Sequence, residues 1–205
     1  ISCVSKLDAR DLLVDETGYQ GVGMYWGVAG FQVSRVSDSL IENCTFSNTI
    51  KGSSPDGQGF DFESDNQNVT VRKCRFLNND AAGLLCFGGT WPGANAGNVV
   101  DDCYFEGNNR VDDNRIFNIG YPANSGIVKN SEIHMGNKAT TFYSYPLAFD
   151  ESNRVYDAAG KLIYSGGPSR TNPMFEERFG SDLSKWKDNA AGSSVTSGKL
   201  SVENN

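Results

Sequence analysis

The sequence contains no CxxC pair, a single histidine and only six prolines. Without thiols or imidazoles at ligand spacing, a zinc site has no support. No apolar run approaches the roughly 20 residues of a membrane-spanning helix. No stretch sustains a helical period over three turns, which argues against a helical fold. Positive charge is also in short supply: 18 Lys and Arg stand against 25 Asp and Glu, for a net charge of −7. That balance argues against a nucleic-acid backbone or an anionic membrane as partner. The Gly-rich GGTWPGANAG (88–97) lacks the lysine and the following helix of a phosphate-binding loop. There is no initiating methionine and no signal-peptide pattern. The chain opens mid-pattern at Ile1, so a piece of a longer protein is expected.

What is present in quantity is glycine, 23 residues of it, together with frequent asparagine. This favours many short strands joined by tight turns. The strands repeat. SLIENCTFSN (39–48), NVTVRKCRFLNN (68–79) and NVVDDCYFEGNN (98–109) each read apolar, polar, Cys, one residue, Phe, then Asn. Cys44, Cys74 and Cys103 are 30 and 29 residues apart. GIVKNSEIHMGN (126–137) is a weaker copy, with Ser131 in the Cys slot and Ile133 in the Phe slot, and KLDARDLLVD (6–15) is a degenerate one. A second apolar burst follows each copy: GVGMYW (21–26), GFDFE (59–63), GLLCF (83–87), NRIFNIG (114–120) and TTFYSY (140–145).

Two or more strands per period of about 30 residues describe one coil of a solenoid. Leucine-rich repeats need regular leucines, and ankyrin or tetratricopeptide repeats need helices, so a parallel β-helix fits best. Successive coils then stack at about 4.8 Å, with Val or Ile, Cys and Phe in inward ladders. Cys44, Cys74 and Cys103 are expected as stacked core thiols and not as disulfides. Asn48, Asn78, Asn108 and Asn137 are expected at the turn after the Phe slot, where asparagine tolerates a left-handed backbone. The expected architecture is all-β: a parallel β-helix of four to five coils over 1–148, then a hairpin and linker over 149–174. Residues 175–205 have a different texture. They resemble the opening strands of carbohydrate-binding or laminin-G-like β-sandwich modules, cut short.

The stretch DGQGFDFE (56–63) carries the first candidate site. Alternate strand residues point to opposite faces, so inward Phe60 and Phe62 turn Asp61 and Glu63 outward. Asp56 precedes them on the turn. One coil later stands Asp80, and one coil after that Asp112 and Asp113. Clustered carboxylates raise one another's pKa and can supply a general acid beside a general base. The same cluster could instead hold Ca²⁺ through oxygen ligands.

Residues 43–107 resemble the right-handed parallel β-helix superfamily that includes pectate lyases and polygalacturonases. The likeness lies in SSPDGQGFDFESDNQNVTVRKCRF (53–76) and NNDAAGLLCFGG (78–89). It implies that Asp61 and Asp80 match catalytic aspartates of two motifs on neighbouring coils. Ala81 stands where a third aspartate belongs, and the Gly-His-Gly and Arg-Ile-Lys elements of polygalacturonases are missing. His134, the only histidine, falls a coil too late.

These residues lead to a secreted or cell-surface bacterial protein acting on polysaccharide, with glycoside hydrolysis the favoured chemistry. Asp61, Glu63 and Asp80 are the candidate catalytic residues. Asp56, Trp91, Asp113 and Arg115 are the candidate substrate contacts, Trp91 as a stacking surface on an exposed Gly/Pro loop. No cofactor is expected, with Ca²⁺ the alternative. The rival readings are a non-catalytic adhesin or tail-spike-like surface, and a calcium-dependent lyase.

Overall fold

The computed structural model describes residues 1–18, 27–54, 56–86, 94–111, 117–119, 126–136, 147–165, 193–196 and 199–202. It divides into two units, Ile1–Ser165 and Gly166–Asn205. Among the described residues none is helical, and no helix is long and apolar enough to cross a membrane.

The first unit is a parallel β-helix. The first coil holds β1 (Ser2–Ser5), β2 (Asp8–Arg10) and β3 (Leu13–Asp15). The next holds the long β4 (Ala29–Glu42) and β5 (Thr45–Ser47). Then come β6 (Gln58–Phe62), β7 (Gln67–Arg72) and β8 (Arg75–Leu77), followed by β9 (Leu84–Cys86), β10 (Asn98–Asp101) and β11 (Tyr104–Glu106). The last coils hold β12 (Phe117–Ile119), β13 (Gly126–Lys129), β14 (Glu132–His134), β15 (Leu147–Phe149), β16 (Arg154–Tyr156) and β17 (Leu162–Ser165). One sheet runs β12-β9-β6-β4-β7-β10-β13-β15, with β1 and β2 also on β4, and the other runs β17-β16-β14-β11-β8-β5-β3. Strand β4 bridges two walls: its first half pairs with β6 and its second half with β7.

In each of the first five coils one left-handed residue turns the chain toward the second sheet. Asp11, Asn43, Lys73, Asp102 and Asn130 all have φ between 50° and 55°, at the corner that leads into the second sheet. Asp and Asn tolerate this conformation better than most residues, which accounts for four of the five. The residue after each of the last four corners is Cys44, Cys74, Cys103 or Ser131, all buried. Each thiol donates to two carbonyls, as Cys74 does to Ile41 and Arg72. All described cysteines are free. Two residues on, Val14, Phe46, Phe76, Phe105, Ile133 and Val155 stack in register. Phe46, Phe76 and Phe105 are fully buried, with ring centroids 5.4 and 4.5 Å apart.

A second ladder locks the coils together. Asn79 Nδ2 donates to the Phe46 carbonyl and to Asn108 Oδ1, and Asn79 Oδ1 accepts from the Thr49 amide. Asn108 Nδ2 donates in turn to the Phe76 carbonyl. Gly30, Gly59 and Gly83 stand in register opposite this ladder. A Cβ on Gly59 would meet Asn79 Nδ2 at 2.6 Å, and one on Gly83 would meet Asn108 Nδ2 and Phe105 at 2.9 Å. Gly59 and Gly83, which open the bursts GFDFE and GLLCF, are therefore clearances for the neighbouring amides.

Two expectations need correction. Asn48 and Asn78 are left-handed as expected, at φ 54° and 53°, but on the next coil Gly107 takes that role (φ 67°). Asn108 moves one place on, into the buried ladder, because its coil has a glycine where the others have asparagine. Asn137 lies outside the described residues. The first unit also runs to Ser165, past the boundary expected near 148. Val155 takes the inward slot of Phe105 and Ile133, and β16 pairs parallel with β14 before turning back antiparallel with β17. In the second unit, β18 (Ser193–Thr196) and β19 (Lys199–Val202) form an antiparallel hairpin.

Phe76→Ala should destabilise the fold by about 3–5 kcal/mol, as for other buried aromatics. Gly83→Ala should cost about 1–3 kcal/mol by overpacking the amide ladder. Urea melts read both, and a wild-type midpoint for either variant would contradict the ladder assignment.

Candidate functional site

Strand β6 carries the acidic motif. Phe60 and Phe62 are fully buried and meet edge-on at 4.9 Å. Alternation therefore turns Asp61 to the opposite face, as the period demands. It is not displayed there. Asp61 is only 3% exposed, and every residue of β6 is buried. Its register partners are Gln32 on one side and Leu85 on the other, and Leu85 is buried too. The expectation of an exposed Asp61 is thus overturned: the strand is covered on both faces. A hint was available one coil later, where Leu84, Leu85 and Cys86 form an unbroken apolar run, the pattern of a strand buried on both sides.

Burial governs the chemistry of this carboxyl. Asp61 Oδ1 is buried without a hydrogen-bond partner. Desolvation pushes the Asp61 pKa well above the usual carboxylate range, and the Glu63 carboxylate and the Asp56 charge push it the same way. The Gln58 side chain opposes them. Asp56 and Glu63 thus both bear on Asp61. Asp56 is half-buried and stands against Gly27, where a Cβ would collide with its Oδ2.

Asp80 belongs elsewhere. Register places Leu85, not Asp80, beside Asp61. The Asp80 carboxylate spans three coils: Oδ2 accepts from the Lys51 amide at 2.8 Å, and Oδ1 binds Arg110 Nε and Nη2 at 3.0 and 2.9 Å. Asp80 is buried, again against the expectation of an outer-wall acid. Its oxygens are committed to holding Lys51 and Arg110 in place. Trp91, Asp112, Asp113 and Arg115 lie outside the described residues. Among the described residues, no group of three or more His, Cys, Asp or Glu is arranged to hold a metal ion.

The structure draws attention to a different surface. On the outer face of β11, β14 and β16, Tyr104, His134 and Tyr156 form a row of half-buried rings. The centroids of Tyr104 and His134 are 5.3 Å apart, and those of His134 and Tyr156 are 4.6 Å apart and nearly parallel. Arg75 lies over Tyr104 at 5.7 Å. His134 Nε2 is 2.7 Å from Glu132 Oε1. Beside this row opens a cleft of about 520 Å³, lined by the chain leaving β11, the chain leaving β14 and the tip of the β16–β17 hairpin. Sequence reasoning placed His134 outward but missed the cleft, since that depends on how β16 stacks on β14.

Comparison with known families fits this geometry. Residues 20–92 match the family model described as a right handed beta helix region. The fold of the first unit is a right-handed parallel β-helix. No significant match is found among curated proteins or among solved structures. The family description concerns the coil and names no substrate.

A raised pKa in the folded state means that ionising Asp61 opposes folding. Its stability contribution is complete below the unfolded pKa of about 3.9 and is lost as pH rises toward the folded value. Asp61→Asn removes that titration. The variant should match wild type near pH 4 and exceed it at pH 7 in urea melts. Parallel pH profiles for the two proteins would show that Asp61 is not held in a disfavoured charged state.

Proposed function

We propose that this β-helix binds an extracellular bacterial or host polysaccharide along the outer wall of β11, β14 and β16, and holds it without cutting. The observation that carries the reading is the ring row Tyr104–His134–Tyr156. Stacked on one another and under Arg75, the rings turn their edges outward, so the row offers hydroxyls and ring edges to the hydroxyls and C–H groups of a sugar. A flanking row of Arg75, Glu132 and Arg154, in register with Tyr104, supplies hydrogen-bonding groups beside the rings. The commitment of Asp80 to Lys51 and Arg110 supports binding over hydrolysis, because a catalytic pair needs two available carboxyls about 5 to 9.5 Å apart.

Glycoside hydrolysis is the second reading, favoured by one observation: a buried Asp61 with a raised pKa beside Glu63. A buried carboxyl with a raised pKa suits the general-acid role on which such enzymes rely.

Affinity electrophoresis through a panel of polysaccharides separates the two. The binding reading expects retardation by at least one polymer without release of reducing ends. Tyr104→Ala should weaken retardation about three- to tenfold, the equivalent of an aromatic contact of roughly 0.5–1.5 kcal/mol. Reducing ends that appear with wild type and vanish with Asp61→Asn would establish hydrolysis instead. No retardation by any polymer would remove the carbohydrate reading.

A further inference from the structure

We propose that the cleft beside the ring row is a subsite for an uncharged sugar residue, and that it rejects uronates. The inference rests on the carbohydrate reading and specifies its substrate class.

Three features lead there. The first is Asn109. It lines the cleft, is 1% exposed, and neither its Nδ2 nor its Oδ1 has a hydrogen-bond partner. Buried amides are normally satisfied, so an orphan one in the wall of a cleft marks a place where a ligand that displaces the wall's outer atoms can complete the bonding. A side-chain amide offers donor and acceptor side by side, which matches two adjacent sugar hydroxyls, each able to give and accept. The backbone holds this amide firmly: Asn109 sits at φ 60°, and its N–H donates to the Ala81 carbonyl.

The second feature is charge. Glu106 and Asp157 face the cleft. Asp157 Oδ1 accepts from the Ala159 and Lys161 amides, which fixes the carboxylate in the hairpin turn. Arg110, the Lys or Arg among the described lining residues, is already paired with Asp80, and the His134 ring shares a hydrogen bond with Glu132. A uronate carboxylate would meet two like charges and no uncommitted cation. Sugar hydroxyls, in contrast, donate well to carboxylates.

The third feature is continuity. His134 lines the cleft and stacks on Tyr156, so a glycan lying on the rings runs on into it.

The test is a ¹⁵N NMR titration of the full chain with neutral gluco-, xylo- and manno-oligosaccharides and with oligogalacturonate of equal length. At least one neutral oligosaccharide should shift the Asn109 and Gly160 amides saturably, and oligogalacturonate should leave them unmoved. Asn109→Asp keeps the size and the left-handed tolerance but replaces the donor, and should weaken neutral binding about tenfold. Should that variant fail to fold, Glu106→Gln, on an exposed side chain, should let oligogalacturonate shift the same amides. Oligogalacturonate binding the wild-type cleft as well as neutral sugars do would overturn the proposal. Neutral sugars that shift Arg75 and Tyr104 but not Asn109 and Gly160 would also overturn it, leaving the wall intact as a binding surface. Silence at both sets of amides would sink the carbohydrate reading itself.

Discussion

The hydrogen bonds of the buried asparagine ladder are the constraint on which the first unit depends. Asn79 joins its own coil to the coils on both sides, through Phe46, Thr49 and Asn108. Asn66 and Asn95 do the same at another corner, and Ser131 and Asn153 at a third. Each amide sits where the chain leaves a strand and its own backbone groups would otherwise be orphaned. Such an amide tolerates almost no displacement, so each coil must hold register with the next. Register in turn aligns the phenylalanines, and it demands glycine at 59 and 83, where any side chain would strike an amide.

This constraint shapes the candidate site by deciding which polar residues are free to act. Inward slots go to Phe, Val and Cys, and corner slots to residues that tolerate a left-handed backbone. Asp80 is absorbed in the same way, tying Lys51 to Arg110 across two inter-coil gaps. Asp61 escapes the core yet remains buried, so its carboxyl is a poor surface ligand. Among the described residues, the outer wall of the second sheet is where stacking brings rings from successive coils side by side.

Much of this was legible in the sequence, for a physical reason. A solenoid repeats one environment, so the need for a small buried group and a large one appears every 29 or 30 residues as Cys-x-Phe. The inward direction of Phe60 and Phe62 was equally readable, since strand alternation is strict. What could not be read was what lies over an outward residue. Alternation gives the direction of Asp61 and says nothing of its cover. The placement of Asp80 failed for a related reason: a 30-residue repeat fixes the coil but not the station within it, and Asp80 falls five residues before the partner of Asp61. The cleft was invisible because one of its walls is the tip of the β16–β17 hairpin, which lies outside the repeat. Nothing in the triplet NNR (108–110) marks Asn109, whose amide has no partner in the fold.

On the proposed reading, the acids of the motif serve the fold while the ringed wall meets the ligand. A crystal structure of the protein soaked with the tightest-binding oligosaccharide tests this most directly. Sugar density is expected across Tyr104, His134 and Tyr156, with Asp80 still bound to Lys51 and Arg110. Sugar density within hydrogen-bonding reach of Asp61 or Glu63, with the ring row bare, would contradict it.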